Sequence, residues 1–330
     1  MYRRAGLTLT EVLVTLGILA LGILAILTLF PLAASQMAIA VRENRSAQAA
    51  VAADSFFRAY WKTEIVDRAR DGLTINEPFY YTLTDGGGAP LLPALDDEAS
   101  YPVVVDPFGY ASRNSPLFQN TVGDASGSPS IPGTPPITNL RRRTLGMIGD
   151  PSHPRYTPLT QFPLRLCSLP DGLGYDEYGR PNADREYRYN WLWVVQRPLN
   201  RNRFQADLTV VVFDRRPYRY APPGMEAVYS AHNVTPLSST VILDGITDLK
   251  PGNWIMDATI TNPATTGLRI RHANFYQVVS VTEFGNQTAL ELQTPIKVRS
   301  DGSKNPYDGT FVVFRGVCGV SVRPPLTSVN

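Results

Sequence analysis

The chain carries one feature that limits everything else: from Val12 to Val41 there is no charged residue. A helix of roughly 20 apolar residues crosses a bilayer, and in hydrocarbon a helix satisfies its own backbone groups. The run therefore predicts a transmembrane helix over residues 7–32, with Arg3 and Arg4 ahead of it. The first charges beyond it, Arg42, Glu43 and Arg45, partly cancel. The positive-inside tendency then favours a cytoplasmic N-terminus and a body outside. One residue breaks the pattern. Glu11 stands at the head of the run, and a carboxylate deep in a bilayer costs about 2.5–3.5 kcal/mol, less near the interface. No cation nearby in the chain serves as its partner, so one from another molecule is the natural candidate.

The order of features is specific: basic Arg3 and Arg4, then Gly6, an apolar Leu7, Glu11, and a long apolar helix. This resembles the N-terminal signal of type IV prepilins and pseudopilins. The resemblance implies that a prepilin peptidase cuts between Gly6 and Leu7 and that the new amine of Leu7 is N-methylated. It also implies that Glu11 pairs with the N-terminal amine of a neighbouring subunit, which sets the register between packed helices. The implied partners are other pilin or pseudopilin subunits, the peptidase, an inner-membrane assembly platform and the lipid bilayer. The implied place is the bacterial inner membrane, single-pass, and then an envelope filament of a type IV pilus or type II secretion-like machine. Leu7 stands where phenylalanine is commonest in the family, and Thr10 where an aliphatic residue is usual. Pro31, a few residues later than the helix-bending proline of many pilins, is expected to kink the helix.

Two other readings of the N-terminus exist. Ala38-Ile39-Ala40 can pass as a secretory cleavage motif, but the apolar stretch exceeds the usual ~7–15 residues of a signal peptide. A plain signal anchor leaves Glu11 unexplained.

Past Pro31, Ala49, Ala53, Phe56 and Tyr60 recur at helical spacing, and Gly72 follows Arg68 and Arg70 as a stop signal. An amphipathic helix is therefore expected over 33–71, continuing the span. Residues 72–186 lose periodicity and contain Gly- and Pro-rich stretches, which predict an irregular, loop-rich region. At 187–236, Tyr187, Tyr189, Trp191, Trp193 and Val195 alternate, as do Phe204, Ala206, Leu208, Val210 and Val212. That is a hairpin whose aromatic face suits the Ala49–Tyr60 stripe. Five short apolar runs over 237–330 predict a second β module, a small barrel or sandwich. The fold class expected is α+β: a long N-terminal helix packed on an antiparallel sheet, with an additional C-terminal β module.

Chemistry is sparse. The 330 residues carry a net charge of +2, which gives no global pointer to nucleic acid. Arginines gather at Arg197, Arg201 and Arg203, and at Arg215, Arg216 and Arg219. Strand geometry places those groups some 30 Å apart, as solvated strand ends. Cys167 and Cys318 are the two cysteines; they can form one disulfide outside the cytoplasm or remain two buried thiols. His153, His232 and His272 have no carboxylate or cysteine at metal-ligand spacing and read as loop or strand residues. Asp171, Asp176, Glu177 and Asp184 concentrate oxygens among glycines, which suits either calcium or a solvated turn; the spacing matches no EF-hand. No phosphate loop, Gly-x-Ser-x-Gly or His-Glu-x-x-His occurs. The expected function is structural, that of a minor filament subunit rather than an enzyme. A membrane-anchored surface-binding or adhesion module and a secreted enzyme are the alternatives.

Overall fold

A computed structural model describes residues 8–85, 100–108, 140–149, 153, 166–169, 188–198, 204–216, 226–261, 267–268, 270–299 and 302–328. Helix α1 runs from Leu9 to Trp61 with Pro31 inside it. It continues through a π-helical turn, Lys62–Asp67, to Arg70. Gly72, at φ 70°, then turns the chain out of the helix, and the Leu73 amide donates back to the Arg68 carbonyl. By internal contacts the chain divides into two units, Met1–Arg45 and Ser46–Asn330.

In the first unit the described large apolar side chains between Leu9 and Val41 are exposed. Leu16, Ile18, Leu19, Leu21, Ile23 and Leu24 all face outward, so every side of the helix is apolar and none is covered. The expectation of a membrane-spanning helix is corrected here. Among the described residues no helix is long and apolar enough to cross a membrane.

The second unit stacks three layers. Its first sheet has the order β11-β4-β3-β1-β2, from Val317–Leu326, Ala206–Asp214, Tyr189–Gln196, Val103–Val105 and Arg141–Arg143. The β3–β4 hairpin is in continuous register from Tyr189↔Asp214 to Gln196↔Asp207. The second sheet has the order β5-β10-β7-β8-β9-β6, from Glu226–Val234, Tyr307–Phe314, Trp254–Asp257, Asn274–Phe284, Gln287–Leu292 and Thr240–Asp244. Its outer strands curl toward each other: His232 Nε2 on β5 lies 3.2 Å from Asp244 Oδ2 on β6.

Strand β3 shows why these layers form. Trp191, Trp193 and Val195 face the helix, where they join Ala49, Ala53, Phe57, Tyr60 and Trp61 in one core. Trp193 Nε1 donates to the Ala53 carbonyl at 3.0 Å, and its ring lies 5.0 Å from that of Phe57. Leu192 and Val194 face the other way, against Val228, Met256, Val312 and Phe314 of the second sheet. A third core, with Leu243, Ile255, Tyr276, Leu290 and Phe311, fills the curl of the second sheet. Fully burying each such side chain is worth about 1.5–3 kcal/mol.

Two further expectations change. The first sheet is mixed rather than antiparallel, because β1 and β2 pair in parallel. The C-terminal β region is not an added module. The chain turns at Arg315–Gly316 and sends β11 back to pair with β4 in the first sheet. The two sheets share a core, so the second cannot bury the face it turns to the first sheet alone. Arg58 of α1 fixes the return by donating to the carbonyls of Pro324 and Pro325. Prolines are tolerated there because β11 is an edge strand. The region expected to be loop-rich also supplies β1, β2 and two short helices, α2 (Pro78–Asp85) and α3 (Gly146–Gly149).

The two sheets are tied by a buried ionic quartet. Arg216 makes a two-pronged pair with Asp106 at 2.8 and 2.6 Å, and its guanidinium stacks 4.5 Å from the Phe213 ring. Arg142 of β2 reaches both Asp106, at 3.4 Å, and Glu226 of β5. Burial lowers the Arg216 pKa, but the carboxylate of Asp106 more than reverses this and holds it above the usual arginine value. Arg216 is thus an internal tie and not a solvated strand end.

Candidate functional site

The head of α1 begins Thr8-Leu9-Thr10-Glu11, the pattern of a capping box. The Thr8 amide donates to Glu11 Oε2 at 3.3 Å, and the Glu11 amide donates to Thr8 Oγ1 at 3.4 Å. Thr8 Oγ1 also donates to Glu11 Oε2 at 3.3 Å. Glu11 thus has a partner within the chain, where none was expected. The Ser/Thr-x-x-Glu spacing was readable in the sequence. The carboxylate stays exposed and sits over the positive end of the helix dipole. Arg3, Arg4, Gly6 and Leu7 lie outside the described residues.

A second cluster lies inside the body. Glu64 sits on the π-helical turn, Glu77 precedes α2, and His153 lies far along the chain; all three are buried. His153 Nε2 is 3.4 Å from Glu64 Oε2 and 3.2 Å from Glu77 Oε1. Tyr60 Oη donates to Glu77 Oε1 at 2.6 Å, and the Gly146 amide donates to Glu77 Oε2 at 2.9 Å. Burial pushes the Glu77 carboxyl up to about 7, against the opposing pull of those two hydrogen bonds. Burial, then the charge of Glu77, pushes the Tyr60 phenol up. Sequence spacing missed this group, because its members meet only in the tertiary fold.

The other histidines also have carboxylates that spacing did not reveal. His272 Nδ1 lies 2.8 Å from Asp257 Oδ2, which also accepts from Tyr307 Oη at 2.7 Å. Asp257 Oδ1 accepts from the amide and hydroxyl of Thr259. Burial raises the Asp257 pKa, but His272, Thr259 and Tyr307 together hold it below the usual carboxylate value. This group ties β7 to β10 and to the segment just ahead of β8. Because the folded pKa is depressed, its contribution is fully present above the unfolded value near ~3.9 and fades as pH falls through the folded value. Asp257→Asn should lose about 2 kcal/mol at pH 7. It should also show a shallower fall in stability below about pH 4, measured by urea unfolding across pH. An unchanged acid limb would contradict this role. His232, exposed at the near-closure of the second sheet, is raised above its usual value by Asp308 and then by Asp244.

Cys167 and Cys318 are both thiols, with no disulfide joining them. Cys167 is buried, and burial, then Asp106, pushes its pKa up. Cys318 Sγ lies 3.4 Å from the Val212 carbonyl. Asp171, Asp176, Glu177 and Asp184, the calcium-loop candidates, lie outside the described residues, as do Arg201, Arg203 and Arg219. The chain matches no protein-family model, no curated protein and no solved structure.

Proposed function

We propose that this chain is a minor subunit of a bacterial envelope filament, of the type IV pilus or type II secretion-like kind, made as a prepilin. The observation that carries the reading is the first part of α1, whose described apolar side chains between Val12 and Leu24 are exposed, behind Glu11 at its head. Such a surface in water is costly, at about 25 cal/mol for each Å² of apolar area. Equivalent helices of neighbouring subunits, packed side by side, cover it on all sides at once. In this reading prepilin peptidase removes residues 1–6, Leu7 becomes the methylated terminus, and Glu11 meets the amine of an adjoining subunit. Before assembly the subunit is held at the inner membrane by the assembly platform, until other subunits cover its helix. The three-layer body, larger and less regular than a simple helix-on-sheet head, suits a low-copy position in the filament.

Mass spectrometry of the chain from its native host tests the reading. The expected N-terminus is Leu7 with one added methyl group. A chain that keeps residues 1–6, or one trimmed near Val41, would overturn it.

A further inference from the structure

We propose that Glu64, Glu77 and His153 bind one divalent cation of the zinc class. Such an ion would clamp the end of α1 to the segment ahead of α2 and to His153. The site does not depend on the filament reading.

The first support is distance. Ligand atoms 2.0–2.1 Å from a tetrahedral ion lie about 3.3–3.4 Å from one another. His153 Nε2 is 3.4 Å from Glu64 Oε2 and 3.2 Å from Glu77 Oε1, and the three ligand atoms all lie within 4.8 Å of one another. A charge-assisted hydrogen bond closes to about 2.7–2.9 Å, and both contacts of His153 Nε2 are longer than that. The spacing therefore fits three ligands around a common centre better than a histidine bonded to both acids.

The second support is charge and donor type. Two carboxylates and a neutral imidazole balance a divalent ion, and buried charges are tolerated only when they are compensated. Imidazole with carboxylate oxygens suits zinc and its first-row neighbours; calcium and magnesium take all-oxygen sets.

The third support is the surrounding framework. Ligating carboxylates are commonly held by outer hydrogen bonds, and here Tyr60 Oη and the Gly146 amide each hold one Glu77 oxygen. A Cβ on Gly146 would lie 2.4 Å from the Asn76 carbonyl oxygen and 2.8 Å from Glu77 Oε1, so only glycine fits where this amide meets Glu77. Glu64 is presented by the π-helical turn, a local widening that recurs at functional positions in helices.

The test is titration of the chelator-stripped full-length chain with Zn2+ and, separately, Co2+. One equivalent of Zn2+ should bind, and Co2+ should give the visible bands of a tetrahedral site that Zn2+ displaces. Tyr60→Phe should weaken Zn2+ affinity about tenfold, and His153→Gln by roughly a hundredfold. If His153→Gln fails to fold, the Co2+ spectrum of the natural chain and the Tyr60→Phe affinity still decide. No stoichiometric binding, a Co2+ spectrum without tetrahedral bands, equal uptake of Ca2+, or affinity unchanged in both variants would overturn the proposal.

Discussion

Glu11→Gln is expected to enter filaments at least tenfold less well than the natural chain, although its helix remains capped. The prediction separates two roles that Glu11 can play. Within its own chain the side chain closes a capping box with Thr8. Glutamine serves that box as well as glutamate, so the local structure survives the change. What glutamine lacks is charge. If the head of α1 packs among apolar helices, the carboxylate and the amine of an adjoining Leu7 meet in a poorly solvated setting. Removing one partner then leaves the other uncompensated, at a cost of about 3–5 kcal/mol. Each 1.4 kcal/mol is tenfold in an equilibrium, so a tenfold loss is the conservative figure. Thr8→Ala makes the opposite change: it costs about 1 kcal/mol of capping and keeps the charge. Sheared filament fractions, normalised to total subunit, provide the readout. The natural order is Thr8→Ala close to the natural chain and Glu11→Gln close to Glu11→Ala. The reverse order would reduce Glu11 to a helix cap and remove the intersubunit pair.

Periodicity made part of the body legible in advance. Trp191, Trp193 and Val195 stand two apart because alternate residues share one face of a strand, and that face meets the Ala53 and Phe57 side of α1. The same alternation concealed the other half of β3. Leu192 and Val194 are equally buried, against a second sheet whose position depends on how distant strands return. No local pattern predicts that β11 leaves its hairpin partner's sheet to pair with β4. β1 and β2 are three residues each, too short for any period. Arg142, the middle of three consecutive arginines, is buried among carboxylates.

The sites follow the same rule. The partner of Glu11 lies three residues away, so the capping signature was in plain sight. Glu64, Glu77 and His153 come from three separate stretches. Tertiary packing brings them together, with Tyr60 and the Gly146 amide both bonded to Glu77. The apolar run from Val12 reads from composition as a membrane span, whereas no described helix is long and apolar enough for one. Composition reports that a surface avoids water; it does not report whether lipid or another protein covers it.

Asp106→Ala should be the most damaging single change within the body. Asp106 is fully buried and receives both prongs of Arg216 as well as the guanidinium of Arg142. Its removal leaves two buried cations to share Glu226. Stripping one partner from a buried network costs about 3–5 kcal/mol, because the remaining charge keeps its desolvation penalty. In a body of this size that lowers the midpoint of thermal unfolding by on the order of 10 °C. Replacing Arg216 by methionine in the same chain should restore much of the loss. Arg142 and Glu226 then remain as a balanced pair, and the methionine chain keeps the packing against Phe213. The double mutant should lose less than the sum of the two single losses, by more than 1 kcal/mol, well above the ~0.3–0.5 kcal/mol scatter of independent sites. Additive losses would mean that Arg216 and Asp106 act separately. The tie between the two sheets would then rest on their shared apolar core alone.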